Sequence, residues 1–230
     1  MTSIFTLRNI TIAVGVLTLV YTVVLTSVLP SDAAGMGDYQ SPILAFEFAE
    51  TSEDLAFLAG EEHASVRAAM DEGNTYDMVY PFLYGGLMAL WLLAFARGGS
   101  SIAWAGLVGA ILIVPADINE NMVMLAITEV LGNAENPAPL LPVLVIATWI
   151  KWGLIAFASL MLAVHLLGTR WFVGTGLGAV TGLSLLTLWF VKPNPALADT
   201  AGLLTGLFLL YLCLSAFRRT GPLVPEVGGE

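Results

Sequence analysis

Ionisable side chains are scarce in this chain, and three groups of them interrupt or border long apolar runs. The deepest is Lys151 in Thr148-Trp149-Ile150-Lys151-Trp152. It stands ten residues past Leu141, where an apolar stretch begins, or about 15 Å along a helix rising 1.5 Å per residue. An ammonium at that depth is too far in to snorkel to either surface and either has a carboxylate partner or gives up its proton. The second group is Asp117-Ile118-Asn119-Glu120-Asn121. On a helix Asp117, Glu120 and Asn121 fall at i, i+3 and i+4 and share a face. If the helix instead stopped near Pro115 or Ala116, the five residues would form an exposed turn. The apolar run Met122 to Ile127 would then lie unpacked, so the buried helical reading is preferred. The third group is Asp77-Met78-Val79-Tyr80-Pro81-Phe82-Leu83-Tyr84. Here Asn74 could cap a helix, with Asp77 in its first turn against the dipole, or Asp77 could face a cavity. Tyr80 and Tyr84, one turn apart, suit a membrane interface or the wall of that cavity.

Asp117 and Glu120 are the natural partners of Lys151. Two carboxylates against one ammonium leave a surplus of negative charge, to which Asp77 adds. A proton or a bound cation would balance it, and this turns an ion pair into a possible binding site. A carboxyl beside a lysine also suits general acid–base work. The bland alternative is an ion pair that only fixes the register of two helices. Asp77, Tyr80, Tyr84, Asp117, Glu120, Asn121 and Lys151 are therefore the candidate ligand-binding residues, with no catalytic residue assigned.

The elements that must position them are membrane helices. Of 230 residues 57% are hydrophobic and 11% charged, where a soluble domain carries about 25% charged residues. Eight Lys and Arg stand against eighteen Asp and Glu, which also excludes a nucleic-acid-binding surface. The single cysteine, Cys213, excludes an internal disulfide framework. Apolar stretches of about 20 residues span a bilayer. They occur at about 9–29, 76–97, 101–131, 141–167, 171–191 and 199–217. The first run exceeds a secretory signal core and is expected to remain as a span. The expectation is an all-α, six-helix polytopic bundle in the plasma membrane.

Basic residues orient it. With the N-terminus inside, Arg8, Arg97, Arg170, Arg218 and Arg219 lie on the cytoplasmic side and Arg67 and Lys192 outside, in keeping with the positive-inside rule. Residues 30–75 then form an acidic outer segment, expected to fold as a small helical cap. Ile43 to Ala49 is mostly apolar, Thr51 and Asp54 have capping-box spacing, and Gly60 and Gly73 punctuate two short helices. The first would follow Thr51 and the second cover Glu61 to Met70. Leu55, Phe57 and Leu58 would face the bundle or lipid headgroups.

No metal site or cofactor is expected. His63 has no second histidine near it, and His165 reads as a residue at a helix C-terminus. Gly174, Gly178 and Gly182 recur every fourth residue, as do Gly202 and Gly206. Such stripes let helices approach closely, within the chain by preference and between copies in a homo-oligomer as the alternative.

The Ala45-Phe46-Glu47-Phe48-Ala49 stretch, the Asp77 to Tyr84 stretch and Asp117 to Asn121 followed by Lys151-Trp152 together resemble small bacterial multi-span membrane proteins. Those share a D-x-x-E-N helix and a K-W helix and have no established activity. The resemblance covers about residues 43–160 and implies a membrane bundle without assigning chemistry. The sequence thus leads to a membrane protein with an outward-opening polar pocket between spans two, three and four. Its ligand would be a cation, a proton or a small amphiphile such as a lipid. A lipid-modifying enzyme using a carboxylate and a scaffold with purely structural charges are the alternatives.

Overall fold

The computed structural model describes residues 6–191, 194–218 and 222–223. Lys192 and Arg219, used above for orientation, lie outside the described residues. All regular structure among the described residues is helical. Helix α1 (Leu7–Val28) is followed by the short α2 (Pro42–Glu47), then by α3 (Ala64–Asp77) and α4 (Tyr80–Arg97). Four long helices follow among the described residues: α5 (Ser101–Gly132), α6 (Leu141–Gly168), α7 (Phe172–Val191) and α8 (Pro195–Ala216). Among the described residues six stretches are long and apolar enough to cross a membrane: Leu7–Val28, Glu61–Arg97, Ser101–Gly132, Leu141–Gly168, Phe172–Val191 and Pro195–Ala216. The protein is a multi-pass helical bundle.

Helix α5 sets the architecture. Its 32 residues span about 48 Å at 1.5 Å per residue, more than the roughly 30 Å of bilayer hydrocarbon. Pro115 lies inside it without ending it. The far end of α5, with Met124, Ile127 and Leu131, packs with Leu141 and Leu144 of α6 under Phe46, Leu55, Phe57, Leu58 and Met70. This second core accounts for the apolar run after Asp117: it is covered by residues 42–77.

The segment between α1 and α4 differs from the sequence reading in three ways. Thr51 and Asp54 make the reciprocal bonds of a capping box, Thr51 N to Asp54 Oδ2 at 2.8 Å and Asp54 N to Thr51 Oγ1 at 3.3 Å. The chain nevertheless forms turns and two 3-10 helices, Ala56–Leu58 and Glu61–His63, before α3 rather than an α-helix after Thr51. Leu55, Phe57 and Leu58 are all buried within so short a stretch, and a regular α-helix would not aim all of them at one core. Gly73 does not end a helix but lies within α3, where an added Cβ would strike the Leu29 side chain. Asn74, expected as a cap, is likewise interior to α3 and fully buried. The break falls instead between Asp77 and Tyr80. Pro81 supplies the reason, since it has no N–H to bond the Asp77 carbonyl four residues earlier.

Arg67 is buried in α3 and donates to the carbonyls of Leu58 at 2.7 Å and Gly60 at 2.5 Å. It ties the 3-10 turns to α3. Hydrogen bonds to charged groups are worth about 1.5–3 kcal/mol each. Arg67→Met, which removes both bonds, is expected to speed amide hydrogen exchange across residues 55–62 by about 100-fold or more, leaving α5 and α6 protected. Uniform acceleration throughout the chain would mean that Arg67 holds the whole fold rather than this segment. Nearby, burial and then Asp54, Asp199 and Glu50 push the Tyr39 phenol up to about 12, so it stays a neutral packing group.

The glycine stripe of α7 is used inside the chain. An added Cβ at Gly178 would lie 3.0 Å from the Ser159 carbonyl of α6 and 2.9 Å from Phe208 of α8. Gly174 faces Tyr211 of α8. The α8 stripe differs: nothing lies within 4 Å of a Cβ built on Gly206, because that glycine borders a cavity.

Candidate functional site

Two helix faces meet at the centre of the site. On α5, Asp117, Glu120 and Asn121 share one face, as their spacing requires, and all three are buried. On α6, Thr148, Lys151 and Trp152 stand at the same i, i+3, i+4 spacing and are also buried. Lys151 Nζ makes an ion pair with Glu120 and lies 3.9 Å from Asp117 Oδ1. The expected pairing across α5 and α6 is thus present in the structure.

The closest approach after Glu120 comes from a residue outside the candidate set. Glu47, at the end of α2, has its carboxylate 2.8 Å from Lys151 Nζ. Trp152 Nε1 donates to the same carboxylate at 2.9 Å, and Thr148 Oγ1 donates to the Glu47 carbonyl at 2.9 Å. The three residues of the α6 face therefore all engage Glu47. Phe46, fully buried in the second core, anchors α2 in this position. The sequence did carry a signal for Glu47: one carboxylate within Ile43 to Ala49, an otherwise apolar run that follows a helix-starting proline.

The remaining candidates lie beside this network. Tyr84 Oη donates to Asp117 Oδ2 at 2.6 Å. Asn121 Nδ2 donates to Asp77 Oδ2 at 2.9 Å. The Tyr80 hydroxyl is bonded to Thr22 Oγ1 at 2.8 Å, and its ring lies 5.1 Å from that of Tyr84. Asp77 is the last residue of α3 rather than a first-turn residue of a transmembrane helix. The structure thus joins all seven candidates into one neighbourhood and adds Glu47, Asn74, Thr22 and Trp152. Three carboxylates, Glu47, Asp117 and Glu120, lie within 4 Å of the Lys151 ammonium, and a fourth, Asp77, is held beside them by Asn121.

A cavity of about 330 Å³ adjoins the network. Glu47, Asp77, Asp117 and Lys151 line one part of it, with Tyr80, Tyr84 and Trp152. Its other walls are apolar, including Leu25, Leu29, Ile43, Leu44, Ile155 and Leu209. Spans two to four supply only part of the lining, since α1, α2, α3 and α8 also contribute. Thr26 on α1 and Gly206 on α8 both line the cavity and are exposed. The mouth therefore lies between α1 and α8, a lateral position that the sequence reading of an outward-opening pocket did not include. Among the described residues no group of three or more His, Cys, Asp or Glu side chains is placed to hold a metal ion.

His165 takes no part in the site. Its ring bonds the Met161 carbonyl at 2.6 Å and Ser100 Oγ at 2.7 Å. Ser100 in turn caps α5 by accepting from Ala103 N. His63 ends a 3-10 turn.

These features define a class: a polytopic helical membrane protein with a lysine–carboxylate network beside a part-apolar cavity. Comparison with known proteins finds no matching family model, no matching curated protein and no matching solved structure.

Proposed function

We propose that this is a ligand-binding integral membrane protein whose intramembrane cavity receives a cation, a proton or a small amphiphile. The observation that carries the reading is the charge imbalance at the cavity wall. Glu47, Asp77 and Asp117 line the cavity with Lys151, and the buried Glu120 pairs with Lys151 behind them, so four buried or part-buried carboxylates stand against one ammonium. Intramembrane ionisable residues are costly and mark functional sites by default. A cavity of about 330 Å³ falls in the size range of small-molecule sites, about 300–1,000 Å³. The test is native mass spectrometry of the protein released from its own membranes. A bound small molecule retained by the wild type and lost from Asp77→Asn/Asp117→Asn supports the reading. Identical spectra for the two proteins, both free of ligand, would overturn it.

A structural reading is favoured by one observation: Lys151 links α2, α5 and α6 through Glu47 and Glu120. In that reading the charges only fix packing, and a variant lacking them all would keep its cellular role.

The topology we propose places both termini in the cytoplasm and residues 42–77 on the outer side of a bacterial plasma membrane. Arg8, Arg97, Arg170 and Arg218 support it. Reporter fusions after Glu230 should be active only in the cytoplasm, and fusions within residues 133–138 only outside. The reverse pattern would invert the orientation.

A further inference from the structure

The cavity has three properties that the charge imbalance alone does not explain. First, its mouth is flanked by apolar surface. Val23 on α1 is 68% exposed and Leu203 on α8 is 64% exposed. Helices α1 and α8 touch lower down, where Cys213 Sγ lies 3.3 Å from the Gly15 carbonyl. They separate toward Thr26 and Gly206, where the cavity opens. Exposed apolar side chains around the opening mean that it faces lipid hydrocarbon.

Second, the two aspartates on the cavity wall are held differently from the glutamates. Glu47 and Glu120 grip the Lys151 ammonium directly. Asp77 is bonded by the neutral Asn121 amide, and Asp117 by the neutral Tyr84 hydroxyl, with Lys151 at 3.9 Å. Third, Asn74 lines the cavity one turn before Asp77 and is 0% exposed. Neither its Nδ2 nor its Oδ1 has a hydrogen-bond partner among the described residues. A buried amide left unpaired costs free energy that a ligand would recover.

From these we infer that the cavity binds an amphiphile whose headgroup is a protonated amine and whose single alkyl chain enters laterally between α1 and α8. The inference rests on the ligand-binding reading above and names the ligand class. An ammonium carries three N–H donors, and the wall offers Asp77, Asp117 and the Asn74 carbonyl as acceptors. The rings of Tyr80, Tyr84 and Trp152 border the same space and favour a cation over a neutral headgroup. Apolar walls then receive the first part of the chain, and its remainder lies in the mouth against lipid. A free inorganic cation would leave those walls unused and would have to cross hydrocarbon to enter. An anionic headgroup would meet three carboxylates.

The test uses the full-length protein in neutral maltoside detergent at pH 7, titrated calorimetrically with dodecylamine, dodecanol and methylamine. Dodecylamine is expected to bind saturably at one per chain, at least tenfold more tightly than dodecanol. Methylamine is expected not to bind at the same concentrations. Asp77→Asn/Asp117→Asn should weaken dodecylamine at least tenfold. Should that double variant fail to fold, Asn74→Leu provides the same test with an expected loss of at least threefold. Gly206→Phe, where an added Cβ meets open space, should close the mouth and weaken dodecylamine at least tenfold without lowering the unfolding temperature. Equal affinity for dodecanol, binding of methylamine as tight as dodecylamine, or unchanged dodecylamine affinity in Gly206→Phe would overturn this inference while leaving a pocket. Failure of every probe to saturate would overturn the ligand-binding reading as well.

Discussion

Lys151→Met is expected to unfold the bundle more readily than any other single substitution in the site. Lys151 is 4% exposed, and its ammonium contacts Glu47 at 2.8 Å and also pairs with Glu120. Removing it leaves both carboxylates buried without their cation. Breaking a buried ion pair from one side costs about 3–5 kcal/mol. Thermal unfolding in detergent should therefore show a large drop for Lys151→Met. The quadruple variant Lys151→Met/Glu47→Gln/Asp117→Asn/Glu120→Gln should recover part of it, because it leaves none of the carboxylates that contact Lys151 as an uncompensated buried charge. Recovery of stability without recovery of ligand binding would separate the working role of the network from its packing role. A single Lys151→Met variant as stable as wild type would mean that the lysine is not the keystone of this network.

Gly178→Val/Gly182→Val is expected to have the next largest effect, through the contact of α6 and α7. A Cβ on Gly182 would come within 2.5 Å of Leu160 Cγ and 3.0 Å of the Ala156 carbonyl. On Gly178 it would come within 3.0 Å of the Ser159 carbonyl. Backbone carbonyls of a packed helix cannot rotate away as a side chain can, so α7 must move out. Overpacking of this kind costs about 1–3 kcal/mol per site. The double variant should unfold at lower temperature with its oligomeric state unchanged. Gly206→Ala is the matched control: with nothing within 4 Å, it should be neutral or slightly stabilising, since alanine favours a helix over glycine by about 1 kcal/mol. A double variant of normal stability but altered oligomeric state would instead make the α7 stripe a contact between copies.

Much of the bundle was legible because hydrocarbon imposes one rule. A run of about 20 apolar residues can span only as a helix with its backbone bonded internally. Length and composition therefore determine six spans. The shared face of Asp117, Glu120 and Asn121 was legible for a similar reason, as helical periodicity fixes which side chains project together. That Lys151 must either pair with a carboxylate or lose its proton follows from its depth alone. None of these conclusions requires knowing which helices are neighbours.

The tertiary structure decided the rest. Glu47 lies 104 positions from Lys151 in the chain, and no local pattern brings them together. Phe46 does so, by anchoring α2 in the core formed with α5 and α6. Thr51 and Asp54 form their capping box, yet burial of Leu55, Phe57 and Leu58 overrides the helix it would start. Asn74 and Asp77 read locally as the start of a span. Leu29, just past α1, packs over Gly73, so the helix runs on through Asn74 to Asp77, and the missing Pro81 donor makes the break that follows. The two glycine stripes have the same spacing in the sequence. The one on α7 is filled by side chains of α6 and α8, and the one on α8 borders the cavity mouth. Spacing fixes which residues share a face, but only packing determines whether that face meets a helix, lipid or an open cavity.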